Sequence, residues 1–148
     1  METRVGIQIR NINNGIKRYL INSPTAKLAD KLTGTNTWLI AYISEQTDKE
    51  RNVFQKDIEE TFGVTRSCVS KVVGLMEKKG LIERARVEHD ARLKKLVLRG
   101  EASECAQKMK KEAEVVEEKI LEGFETEEID KLREYLGRIM KNVEKNLI

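Results

Sequence analysis

Aromatic residues are scarce in this chain: one Trp, three Tyr and three Phe among 148 residues. Charged residues make up 36%, and together these values describe a helix-rich chain. Proline occurs once, as Pro24. The two cysteines, Cys68 and Cys105, stand too far apart in sequence and are too few for a disulfide framework. No apolar run reaches the roughly 18 residues that a membrane span needs. The opening METRVGIQIR has neither the apolar centre nor the small-residue cleavage site of a secretory leader, so a cytoplasmic location is expected.

Catalytic groups are equally sparse. The single histidine, His89, has no nucleophile beside it, and "LRGEASE" lacks the Lys-Ser/Thr of a phosphate-binding loop. Two cysteines and one histidine in separate elements make a poor metal set. No enzyme, metal or cofactor is expected.

What is present is charge unevenly spread over helical periodicity. Residues 53–99 carry 11 Lys/Arg against 7 Asp/Glu, whereas residues 100–148 carry 9 against 13. A basic middle beside an acidic end suits a part that meets a polyanion and a part that avoids one. The chain opens with Val5, Ile9, Ile12, Ile16 and Tyr19 on one helical stripe, expected to stop near Asn22-Ser23-Pro24. Residues 22–34 read as a polar connector with a helical turn at Leu28 and Leu32. A second helix is expected from Thr35–Thr37 through Trp38, Leu39, Tyr42 and Ile43, ending in "TDKERN".

The segment "VFQKDIEETFG" predicts a short helix from Gln55 to Phe62, with Ile58 and Phe62 buried and Gly63 as its stop. Thr65 then caps a helix from Arg66 to Lys79, with Lys78, Lys79 and Gly80 suited to its C-terminus. Its core face is Val69, Val72, Val73 and Met76; its other face holds Arg66, Ser67, Ser70, Lys71 and Gly74. After Gly80 the period changes to alternation. "LIERARV" and "KLVLR" predict two short strands joined by the turn "EHDAR". A long helix resumes from Glu101 along Ala102, Ala106, Met109, Ala113, Val116 and Ile120, and Gly123-Phe124 ends it. The last helix starts at Thr126 and carries Ile129, Leu132, Leu136, Ile139, Val143 and Leu147.

Two short helices around a Gly-containing turn, then a hairpin, describe a winged helix-turn-helix. The expected fold is mainly α with a small β-hairpin wing, joined to a helical dimerisation region. Residues 1–34 are expected to supply a dimerisation helix and connector, 35–99 the DNA-binding domain, and 100–148 further dimerisation helices. The second helix of such a motif enters the major groove with its N-terminal residues near base edges. Arg66 and Lys71 suit guanine or phosphate, and Ser67 and Ser70 suit either. Gly74 has no side chain to hold that helix away from DNA. On the hairpin, Arg84, Arg86, Arg92, Lys94 and Lys95 form a cationic ribbon. Asp90 is expected to orient the Arg92 guanidinium by a charge-assisted hydrogen bond, and Arg92 to enter the minor groove.

The run from Met76 to Arg84 (MEKKGLIER), then Asp90-Ala91-Arg92 and Val97-Leu98, resembles the MarR family of transcription regulators. The tail "ILEGFETEEIDKLREYLGRIMKNVEKNL" is similar to that family's final two-helix turn. Two positions depart from the pattern: Ala91 replaces a frequent Arg, and Arg99 stands where Thr usually caps the next helix. The resemblance implies a homodimer with intertwined terminal helices, each protomer presenting one recognition helix and one wing to double-stranded DNA. It also implies a small aromatic or anionic effector between the dimer helices and the winged domain, where Ile12, Ile16 and Tyr19 would face Trp38 and Tyr42. Ordinary core packing is the other reading of those five.

Independently, three apolar helical stripes without a sheet to cover them are best buried against a second copy. Cys68, beside Arg66 and Lys71 at a helix N-terminus, is a redox candidate; a small packed residue is its alternative. The expected function is a ligand-responsive repressor on a pseudo-palindromic operator. The rival is a winged-helix module whose basic face meets an acidic protein.

Overall fold

Ser23 and Pro24 set the first boundary. In the computed structural model, which describes residues 3–148, helix α1 (Val5–Ile21) ends just before them. Helix α2 (Pro24–Thr33) begins with Pro24 at its first position, and Ser23 Oγ accepts the Ala26 N–H at 3.0 Å. The connector expected over residues 22–34 is therefore a ten-residue helix. A proline that ends one helix has the φ value needed to start another, and its missing N–H costs nothing there. The Ser23 hydroxyl also donates to Glu112 Oε2 at 3.0 Å.

Helices α3 (Thr37–Asp48), α4 (Gln55–Phe62) and α5 (Arg66–Lys78) follow, then strands β1 (Ile82–Val87) and β2 (Asp90–Leu98). Two long helices, α6 (Gly100–Ile120) and α7 (Thr126–Leu147), complete the chain. The mainly α fold with one hairpin is as the sequence predicts. Helix α4 starts with the Asp57 carboxylate accepting the Phe54 N–H at 2.7 Å, half of a capping box, because Phe54 has no side-chain acceptor to complete it. It stops at Gly63, whose φ of 62° is left-handed. Thr65 caps α5 by accepting the Cys68 N–H at 3.3 Å.

One core joins α3, α4, α5, the base of the hairpin and the start of α6. Leu39, Ile40 and Ile43 of α3 meet Ile58 of α4, and Val69, Val73 and Met76 of α5 close the triangle. Leu81, Ile82 and Leu96 bring in the base of the hairpin, and Ala102 and Ala106 bring in the start of α6. The small alanines let that helix lie close to the core. Phe62, expected inside, is 40% exposed. It sits at the last turn of α4, where its ring covers Trp38 and Tyr42 from outside, with centroids 4.5 and 5.2 Å away.

The strands pair antiparallel from Ile82↔Leu98 to Arg86↔Lys94. At the base, Leu96 N–H donates to Val53 O at 2.7 Å, stitching β2 to the segment before α4. Arg99 N–H donates to Leu81 O at 2.9 Å. Gly80 and Gly100 both have positive φ, 71° and 54°, and a Cβ on Gly100 would stand 3.4 Å from Gly80 O. The two ends of the hairpin are thereby drawn together between α5 and α6.

By its contacts the chain divides into two units, one through Glu112 and one from Ala113 to Ile148. In the second, α7 is capped by Glu128 Oε2 accepting the Glu125 N–H at 2.9 Å. Neither α1 nor α7 has a buried residue, although both are amphipathic. No helix among the described residues is long and apolar enough to cross a membrane.

Candidate nucleic-acid interface

Burial of Val69, Val73 and Met76 decides which side of α5 faces out. Positions 67, 71, 74 and 78, at steps of 4, 3 and 4, form the line opposite the core. Ser67, Lys71 and Lys78 are exposed, and a Cβ on Gly74 would meet nothing within 4 Å. Ser70 flanks this line. Lys78 reads in the sequence only as a helix-end cation, yet its helical distance from Lys71 and Gly74 puts it in the outermost row. The Ser67 hydroxyl is 3.3 Å from Thr65 Oγ1. Arg66 is exposed but points to the other side, towards the wing.

The hairpin divides its charges by register. Directly paired residues share a face, so Arg84, Arg86 and Lys94 lie on the face that carries Leu96 at its buried end. Arg86 and Lys94 are opposite one another, a like-charge pair that opposes hairpin formation. The turn is only Glu88-His89, tighter than the predicted "EHDAR", because Asp90 already pairs with Val87. The register then breaks, and Ala91, Arg92 and Leu93 bulge out before Lys94. Asp90 Oδ1 accepts the backbone N–H of Arg92 at 2.8 Å. That corrects the expected guanidinium contact: an Asp two residues before a backbone amide closes a local turn more readily than it reaches a long side chain. Asp90 thus shapes the bulge that presents Arg92.

The two elements meet at a cleft of ≈ 450 Å³ beside the start of α4. Lys56, Arg66, Arg84, Arg92 and Lys94 line it, and Glu59 is the single acid on its wall. Lys56 was missed in the sequence because it lies on a different helix, ten residues before Arg66. Arg66, Lys71, Arg86, Arg92 and Lys94 enter no ion pair among the described residues. Arg84 differs: its Nε donates to Glu77 Oε2 at 3.0 Å and its Nη1 to Gln55 Oε1 at 3.2 Å.

Among the described residues, the five expected around an effector fall into two groups. Ile12 is 61% exposed on α1, Tyr19 is exposed and Ile16 half-buried, while Trp38 and Tyr42 pack on Phe62. Tyr42 also pairs its hydroxyl with Thr61 Oγ1 at 3.2 Å. Aromatic packing within the helix triangle has satisfied those two rings.

Both cysteines are free; Cys68 is exposed, whereas Cys105 is fully buried and burial pushes its thiol pKa up. One thiol per chain is therefore expected to take up maleimide rapidly in native protein, and the second only in denaturant. Mass spectrometry of the adducts checks this, and two fast additions would contradict the burial of Cys105. No group of three or more His, Cys, Asp or Glu able to hold a metal occurs among the described residues.

A triangle of helices with an outward second helix and a hairpin beside it is a winged helix-turn-helix. Residues 30–93 match the model of the MarR family. The chain also matches the transcription regulator MarR from Oenococcus oeni PSU-1, at 24% identity over 93% of this chain and 99% of that one, TM-score 0.60. The transcriptional regulator PA3341 matches at 20% identity over 97% and 100%, TM-score 0.69. The heme sensor PefR from Streptococcus agalactiae matches at 26% over 95% of each chain, TM-score 0.53. The winged-helix segment is thus similar to that of the MarR family.

Proposed function

We propose that this protein is a sequence-specific double-stranded DNA-binding repressor, acting in the cytoplasm as a homodimer on a pseudo-palindromic operator. The observation that carries the reading is the convergence of two cationic surfaces, the outward row of α5 with Lys71 and the cleft under the wing. In that cleft Arg66, Arg92 and Lys94 enter no ion pair among the described residues. Ser67, Ser70 and Lys71 read base edges in the major groove. Arg66, Arg86, Arg92 and Lys94 engage the backbone and the adjacent minor groove. Residues 35–99 form the DNA-binding part, and the α1 and α7 stripes supply the dimer.

The dimer is supported by what the single chain leaves uncovered. Val5, Ile9 and Ile12 on α1 are exposed, as are Leu136, Met140 and Leu147 on α7. A two-fold pair would present two recognition helices to half-sites about one helical turn apart, roughly 34–36 Å. Repression then follows from occluding a promoter. A small aromatic or anionic effector would release DNA by favouring a dimer with the wrong helix spacing. Within this reading Ile12, Ile16 and Tyr19 contribute the apolar wall, and Trp38 and Tyr42 take part only when Phe62 moves.

Selection of bound duplexes from a random DNA library at near-physiological salt tests the reading. An inverted repeat is expected. Folded protein that enriches no sequence would instead favour an acidic protein partner, which has no reason to prefer one duplex. On the recovered site, Lys71→Ala is expected to relax base preference by about 1–3 kcal/mol at one position. Uniform weakening, with a salt slope smaller by about 1, would move Lys71 to the backbone.

A further inference from the structure

Arg84 is a cation on a DNA-facing hairpin, yet its charge is spent inside the protein. Its side chain is 31% exposed, and its two hydrogen bonds reach two different helices. One goes to Glu77 in the last turn of α5, the other to Gln55 in the first turn of α4. A guanidinium can serve both because its donors form a rigid fork; a lysine at this position has only a point charge to offer. The three elements it joins each belong to the interface: α5 carries the outward row, β1 is the wing strand paired with β2, and α4 supplies the wall of the cleft.

We infer that Glu77 and Gln55 are positioning residues that hold Arg84 as a strut between wing and recognition helix. The strut fixes the distance from Lys71 in one groove to Arg92 in the next. This rests on the DNA-binding reading and deepens it, since Glu77 and Gln55 act through Arg84. Backbone bonds hold the wing at its base, and among the described residues the Arg84–Glu77 pair is the hydrogen bond that ties the middle of β1 to α5. Without Arg84 the ribbon keeps its own pairing and loses its angle to the helix.

The sign of one substitution is diagnostic. Glu77→Gln removes a negative charge near the phosphate backbone, and that alone should tighten binding. If Glu77 positions Arg84, the same change weakens binding to the selected operator, by about fivefold for a partly exposed pair. Arg84→Met should weaken it at least as much, and the double variant no more than the worse single one, because both remove the same strut. The salt slope of Glu77→Gln should match that of the unaltered protein, since no phosphate contact has gone.

Tighter or unchanged operator binding by Glu77→Gln would overturn the inference. So would multiplicative losses in the double variant with a smaller salt slope for Arg84→Met, which make Arg84 a direct phosphate contact. Glu77→Gln is decisive alone if Arg84→Met does not fold, because an exposed Gln at that site leaves the core untouched. Failure of the unaltered protein to select any DNA sequence would instead defeat the parent reading.

Discussion

Ile139→Asp is expected to convert a dimer into monomers and to abolish operator binding at concentrations that saturate the unaltered protein. Ile139 is half-buried in the middle of the α7 stripe, between Leu132 and Val143, in a helix with no fully buried residue of its own. In a two-fold interface each copy loses the burial of one isoleucine, worth about 1.5–3 kcal/mol. Each also gains a carboxylate that must be desolvated, at several kcal/mol. Symmetry applies both costs twice. The dimer constant should therefore weaken by at least about 1,000-fold, with a lower melting temperature for the separated chains. Lys141→Asp, on the exposed side of the same helix, is the control and should stay dimeric. Sedimentation equilibrium reads both; an Ile139→Asp protein that remains a micromolar dimer removes α7 from the interface.

Gly74→Leu should move stability and DNA binding in opposite directions. Inside a helix, glycine is about 0.8–1.0 kcal/mol worse than alanine, and leucine is close to alanine. A Cβ on Gly74 meets nothing within 4 Å, so the new side chain finds open space in the free protein. The melting temperature should rise by about 2–4 °C. Yet Gly74 lies in the same row as Lys71 and Lys78, the row that the proposed docking brings nearest to the groove floor. A leucine there holds the axis back, and hydrogen bonds to base edges do not survive an added ångström or two. Operator affinity should fall by about 100-fold or more, against a loss of at most about tenfold for Gly74→Ala. Unchanged affinity with Gly74→Leu would mean that another face of α5 meets DNA.

The parts of this molecule set by local chemistry were legible from the residues alone. Helix α4 has its predicted ends because Gly63 supplies the left-handed stop, and α5 begins after Thr65 because that hydroxyl caps it. The hairpin follows from the switch to alternation after Gly80. Helix α2 was not legible: Leu28 and Leu32 give too little periodicity over ten residues, and Pro24 reads equally as an ending or a beginning. Phe62 was misplaced because period alone does not tell the inner side of a short helix from a rim where rings stack. On α5, exposure follows helix phase, so the outward placement of Ser67 and Lys71 was recoverable. The partners of Arg84 were not. Glu77 is seven residues away and Gln55 twenty-nine, and only the packing of three elements brings them together. Asp90 shows the reverse case, where a backbone two residues on outcompetes the more suggestive cation.

The closure between Gly80 and Gly100 makes the length of the wing separable from the rest of the fold. Everything beyond that pinch hangs from a fixed neck, so residues added at Glu88-His89 lengthen the ribbon without displacing α5. Doubling such a loop costs only about 0.6 kcal/mol in closure entropy. Under the proposed docking, the reach of the wing can therefore change by insertion at its tip and the groove contacts of α5 by substitution, neither at the expense of the core.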